Sequence, residues 1–262
     1  FLVEEFRTLI ETVGADKIGV FIGEPIMASG GVIVPPPGYW PRMRALCKEN
    51  DILFIMDEVV VAFGRLGHVF SAKTVFGVEP DMITFAKGVT SAYFPLSAVM
   101  MNERVYEVLV DQSRKIGTFG HGNTYAGHPV GCAVAVKTLE IYQRDKIVEH
   151  VRSVSPTFLR RLTKLEEHPL VGEARGIGLI GGVELVRDKA TKASFEIKKG
   201  VGPKSVLFAQ QEGLILRAMG DRVAFCPPLI MKEAEIEEMF DRYERALDKT
   251  LAWAKAEGLL AA

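Results

Sequence analysis

Two residues in the first third of the chain have types and positions suited to covalent chemistry. Lys87 stands in ITFAKGVTSAYFPLSAVM, residues 83–100, followed at once by Gly88 and set between two apolar runs. A solvated lysine needs no such setting. An amine held against apolar surface has a larger neutral fraction and can attack a carbonyl carbon. Thirty residues earlier, FIMDEV (54–59) places Asp57 and Glu58 at the end of another apolar run. If both runs are parallel strands of one sheet, Asp57 and Lys87 emerge at the same edge, which is where open α/β sheets bind ligands.

The pair is suited to one kind of cofactor. Lysine forms a Schiff base with an aldehyde, and a carboxylate beside a pyridine nitrogen keeps that nitrogen protonated so that the ring accepts electrons. Together they describe a pyridoxal phosphate site. A buried salt bridge between Asp57 and Lys87 with no cofactor is the alternative reading of the same residues.

The elements that must position them follow from apolar periodicity. Leu2, Phe6, Leu9, Ile10 and Val13 recur at helical spacing before Gly14. Runs at 18–26, 52–56 and 82–85 lack alternation, as strands buried on both faces of a parallel sheet do. A helical stretch, 38–50, lies between the first two, entered through Pro35, Pro36 and Pro37 and closed by Asn50. Strand, helix, strand on this scale is a crossover unit, and residues 96–101 add a further strand. From about 129 to 167 the pattern is helical, read as two helices with a break at Ser155 and Pro156 or as one helix kinked there. Short strand candidates at 176–186, 214–217 and 223–225 and a final helix over about 232–256 form a smaller α+β domain. The boundaries expected are 1–150 for part of a large domain and 151–262 for the small one.

Totals exclude several classes. The chain has 262 residues, 48% of them hydrophobic, enough for a sizeable core. Its 32 basic and 33 acidic side chains give a net charge of -1, with no basic block resembling a phosphate-backbone footprint, so nucleic acid is not an expected partner. Cys47, Cys132 and Cys226 are odd in number, lack CxxC spacing and sit in apolar or helical settings. Buried free thiols in a reducing compartment are expected. No apolar run approaches the roughly 20 residues that span a bilayer, and no basic-then-apolar signal opens the chain; a cytoplasmic protein without a membrane partner is expected. The chain opens at Phe1 inside an amphipathic pattern, which suggests an earlier start. His121 and His128 have no metal-ligand spacing with any acid or cysteine, so no metal is expected.

MDEVVVAFGRLG (56–67) followed by DMITFAKGVTSAYFPLSAV (81–99) resembles the signature of the class III aminotransferases, the branch with ω-transaminases and amine:pyruvate transaminases. The resemblance continues in GEPIMASGGVIVPPPGYWPRMRALC (23–47), GTFGHGNTYAGHPVGCAVA (117–135) and GLILRAMGDRVAFCPPLI (213–230). It implies an α/β fold of the type I pyridoxal phosphate family: a three-layer α/β/α large domain, here partial, with a smaller C-terminal α+β domain. By the same resemblance, Lys87 is the Schiff-base lysine and Asp57 the partner of the pyridine nitrogen. Val59 packs on the ring, and Thr124 reaches the cofactor phosphate of a neighbouring subunit in a homodimer with shared sites. Arg217 resembles the arginine that pairs with a substrate carboxylate, and Glu24 a glutamate supporting the site. Tyr93, close after the lysine loop, is the better candidate for the substrate pocket, and Trp40 is read first as apolar packing. Ala62 and Leu66 stand where many relatives have glycine and threonine.

The implied reaction moves an amino group from an amine or amino acid to a keto acid such as pyruvate. A non-catalytic or incomplete fragment, or an aminomutase or racemase of the same fold, is the alternative. The family's Ser/Gly-rich phosphate turn and ring-stacking aromatic are not found, so these residues alone are expected to form an incomplete site.

Overall fold

Glycines and an asparagine mark several helix ends. The computed structural model describes residues 1–260, which divide into two units. The first comprises 1–25, 35–64 and 68–146. Its first helix, α1 (Leu2–Val13), stops at Gly14, whose φ of +94° favours glycine. After β1 (Val20–Gly23), the three prolines lead to Gly38 at φ +80°, and α2 (Tyr39–Glu49) runs to Asn50. β2 (Leu53–Asp57), the single turn α3 (Ser71–Thr74), β3 (Met82–Phe85) and β4 (Ala98–Met101) follow. Asn102 then caps α4 (Glu103–Ile116) by accepting from the Val105 amide at 3.1 Å, and α5 (Pro129–Arg144) begins with proline at its first position.

The strands pair in the order β1-β2-β3-β4, parallel except for the last pair. Phe21, Phe54 and Met56 face α1 and α2, packing with Val3, Ile10, Trp40, Met43 and Leu46. Asp81, 3% exposed, locks this layer: it accepts from the Phe54 amide (2.9 Å), from two Arg44 nitrogens (2.8 and 3.1 Å) and from Asn102 Nδ2 (2.9 Å). Burial would raise its carboxyl, but these donors together hold it below the usual aspartate range.

The expectation of strands buried on both faces is corrected. Val20 and Ile22 on β1 are 46% and 55% exposed, and Val99 on β4 is 51% exposed. The helices α1 and α2 cover the Phe21 and Phe54 side, and among the described residues nothing buries Val20, Ile22 or Val99. Continuous apolar runs showed that both faces were suited to burial, not that both were buried.

The second unit comprises 26–34, 65–67 and residues from 147 onward. It contains α6 (Ile147–Lys164), β5 (Val171–Ile177), β6 (Ile180–Leu185), α7 (Val201–Gln211), β7 (Arg217–Met219), β8 (Arg222–Phe225) and α8 (Glu233–Ala256). The strands form one antiparallel sheet in the order β5-β6-β8-β7. Phe158, Phe225, Phe240 and Tyr243 centre its core, with the Phe225 and Phe240 rings stacked at 5.3 Å. Arg161, 6% exposed, reaches from α6 to Glu237, Asp241 and Glu244 of α8.

The expected break at Pro156 does not occur. Pro156 lies inside α6, and the helical region divides at Asp145 and Lys146 instead, where Lys146 adopts φ +52°. The thiols also differ from expectation: Cys47 is buried, whereas Cys132 and Cys226 are exposed, and all three are free. Cys132 lies on α5 and Cys226 just past β8, each beside apolar residues but on the outer side.

Candidate active site

Asp57 closes β2 and is half-buried, with its Oδ1 accepting the Val59 amide at 3.0 Å. In the parallel register it stands opposite Thr84 of β3, and Lys87 comes three residues after Thr84. The acid and the lysine therefore leave neighbouring parallel strands at the same end. That is the juxtaposition the apolar runs predicted.

The next residue, Glu58, is fully buried and has a different task. Its carboxylate accepts from the amides of Ser71 (2.7 and 2.9 Å) and Ala72 (2.8 Å), and its own amide donates to Thr84 O at 2.9 Å. It fastens the loop after Asp57 to the strand that leads to Lys87. Burial pushes its carboxyl above the usual glutamate range, partly offset by the Ser71 and Ala72 donors.

Lys87 has φ +41° and opens a single 3₁₀ turn, Lys87–Val89. Ser91 and Ala92 are also left-handed, at φ +49° and +64°. Three such residues in six are unfavourable for side chains with a Cβ and require surroundings that hold them. Below the loop, Phe63, Phe70 and Phe85 form a cluster with ring centroids 5.4 to 5.7 Å apart. Gly88 lies against it: a Cβ there would be 3.0 Å from Phe63 Cβ and 3.2 Å from Ala62 O. The Tyr142 hydroxyl of α5 donates to Gly88 O at 3.1 Å, and Thr90 Oγ1 donates to Phe94 O at 2.7 Å.

Other expected residues are placed as follows. Val59 is half-buried beside Asp57, and Glu24 is half-buried just after β1. Thr124 is exposed in the turn before α5. That turn is tied to the lysine loop by Phe94, whose ring stacks on His128 at 5.7 Å while His128 Nδ1 accepts the Val130 amide. Tyr93 is 85% exposed. Arg217 is exposed at the start of β7, in the second unit. Trp40 is core, with its Nε1 donating to Pro25 O. The Lys87 side chain is exposed, so its backbone is fixed but its amine is not dry. Among the described residues no group of three or more His, Cys, Asp or Glu could hold a metal.

Sequence reasoning missed Glu58 as the fastener and Tyr142 altogether. The adjacency of Glu58 to Asp57 drew attention to the site, but nothing in the sequence linked residue 142 to residue 88.

The site brings together two of the groups that pyridoxal phosphate engages. A half-buried carboxylate and a lysine on a fixed loop, at adjacent strand ends, suit a pyridine nitrogen and an aldehyde on one molecule.

Comparison with known proteins agrees. Residues 1–247 match the aminotransferase class-III family, and the chain belongs to that family. It is 42% identical over 250 residues to a putrescine–pyruvate aminotransferase of Pseudomonas aeruginosa, covering 95% of this chain and 54% of that protein. With γ-aminobutyrate transaminase 1 of Oryza sativa it shares 42% identity over 249 residues, 95% of this chain and 48% of the relative. The crystal structure of an omega transaminase from Pseudomonas jessenii in complex with PMP superposes with a TM-score of 0.93 at 44% identity, covering 97% of this chain and 56% of that one. The fold is thus that of the class III transaminases, and the chain spans about half the length of the curated relatives it matches.

Proposed function

We propose that this chain carries the lysine and acid of a pyridoxal phosphate-dependent transaminase that moves an amino group from an amine or amino acid to a keto acid such as pyruvate. The observation that carries the reading is the parallel register that brings Asp57 and Lys87 to adjacent strand ends. Lys87 would hold the cofactor through its amine, Asp57 the ring nitrogen, Val59 the ring face, and Thr124 the phosphate, the last across a homodimer. Bound there, pyridoxal phosphate supplies an electron-accepting ring.

The protein's own groups then do the rest. Lys87 Nζ moves the proton at the substrate α-carbon, acting as general base and acid. The Val59 amide orients the Asp57 carboxylate, so the charge opposite the ring nitrogen is fixed in place. Arg217, with its planar fork, is suited to a substrate carboxylate, Tyr93 to the substrate side chain, and Glu24 to their support. Keto acid and amine are the small-molecule partners, and a cytoplasmic location suits three free thiols. The putrescine–pyruvate relative supports pyruvate as acceptor.

The test is formation of alanine from pyruvate and an amine donor in the presence of pyridoxal phosphate. Asp57→Asn is expected to lower the rate by about 100-fold or more, in the range of a lost charge at a reacting centre. Unchanged turnover in Asp57→Asn would refute the assignment.

A further inference from the structure

The strained lysine loop needs an outside support, and α5 provides one. Lys87, Ser91 and Ala92 all have positive φ. Two of the loop's own hydrogen bonds are at the long end, Thr90 N to Lys87 O at 3.3 Å and Ser91 N to Gly88 O at 3.2 Å, while Val89 N to Ala86 O and Tyr93 N to Thr90 O, at 3.1 and 3.0 Å, are ordinary. Gly88 O is the acceptor that matters, because it belongs to the Gly88–Val89 peptide, one peptide beyond Lys87 and inside its 3₁₀ turn. It receives a second donor, the Tyr142 hydroxyl, at 3.1 Å. This contact joins residues 54 positions apart and ties the Gly88–Val89 peptide to a helix of 16 residues.

We infer that Tyr142 is a positioning residue for Lys87, its hydroxyl holding the Gly88 carbonyl so that the lysine keeps its left-handed backbone. The direction of the Cα–Cβ bond of Lys87 depends on that backbone, so a loop that relaxes to negative φ re-aims the amine. The Phe63 side chain and the Ala62 carbonyl also crowd this residue, so that a Cβ at position 88 would sit 3.0 and 3.2 Å from them. Gly88 is thus contacted by both Phe63 and Tyr142. The ring of Tyr142 packs, half-buried, against the cluster of Ala62, Phe63, Val89 and Ala135. The Tyr142→Phe variant keeps that packing and removes only the donor.

The inference rests on the reading of Lys87 as the cofactor lysine, and the experiment separates the two. The protein and its Tyr142→Phe variant are treated with pyridoxal phosphate and borohydride, and label on Lys87 is measured by peptide mass against label on Lys73, a surface lysine. Amide exchange is followed without cofactor in residues 88–94 and, as a control for the fold, in β2. Tyr142→Phe is expected to lower the Lys87 to Lys73 ratio about five-fold, the scale of one hydrogen bond. Exchange should quicken in 88–94 and stay unchanged in β2. If the unaltered protein labels Lys87 no more than Lys73, the reading of Lys87 falls, and this inference with it. Selective labelling of Lys87 that is equal in both proteins overturns the role of Tyr142 alone. Loss of label with equally faster exchange in β2 assigns Tyr142 to general stability and also overturns it.

Discussion

Asp57 and Thr84 stand opposite each other in the parallel pairing of β2 and β3, and the candidate acid and lysine of the site are measured from that pair. Asp57 is the end of one strand, and Lys87 lies one short loop beyond the other. A hydrogen bond from the Ser71 amide to Glu58 and one from the Tyr142 hydroxyl to Gly88 O hold the two connecting loops. The predictions below concern those supports and the second unit.

Removing the Glu58 carboxylate leaves the Ser71 and Ala72 amides without an acceptor. Glu58→Ala is expected to cost about 1–3 kcal/mol, the scale of unsatisfied buried donors. The pH dependence has a defined sign. The folded carboxyl lies above its unfolded value, chiefly through burial. Between those values the folded chain keeps a proton that the unfolded chain has lost, so the stability contribution is full below the unfolded value and falls as pH rises through the folded one. Urea midpoints from about pH 4 to about pH 8 should therefore show the unaltered protein declining relative to Glu58→Gln.

Gly88→Ala acts on the lysine loop by crowding rather than by loss of a donor. The added Cβ would come within 3.0 Å of Phe63 Cβ and 3.2 Å of a backbone oxygen, which has little freedom to move. A destabilisation of about 1–3 kcal/mol is expected from overpacking, with a fall in Lys87 labelling. Denaturant unfolding and peptide mass mapping of the same sample check both.

In the second unit, Arg161 gathers Glu237, Asp241 and Glu244 while almost wholly buried. Arg161→Ala is expected to lower the urea midpoint, because it removes a buried guanidinium and leaves three partly exposed carboxylates facing each other. The hydrogen bond from Arg161, then that from Arg160, holds the Glu237 carboxyl below its usual range. Its contribution is present above the unfolded glutamate value and lost as pH falls through the lower folded value. Acid unfolding should therefore be less steep in the variant; equal slopes would remove the cluster from the account.

Much of the site was legible because it is local. The MDEV stretch and the AKG stretch each end an apolar run, and both became strand ends. The three prolines and Gly38 marked the start of α2 for the same reason. Two helices, α4 and α7, were missed. α4 exposes most of its surface and has no fully buried residue, although Asn102 and Gly117 at its ends were usable signals. α7 carries Gly202 and Pro203 in its first turn, where proline is tolerated. Pro156 was read as a break, yet α6 continues through it and the chain turns at Lys146. The Tyr142 to Gly88 bond was invisible because its partners are distant in sequence. Exposure of the Lys87 amine was equally hidden, since apolar flanks describe the strands and not the lysine tip.

The most direct measurement is borohydride reduction of the protein with pyridoxal phosphate, followed by mass mapping of the peptide containing Lys87, with Lys87→Ala as control. The account predicts cofactor mass on Lys87 in preference to other lysines and its loss in the control. A folded protein whose label is spread over surface lysines, or is unchanged in Lys87→Ala, would contradict it.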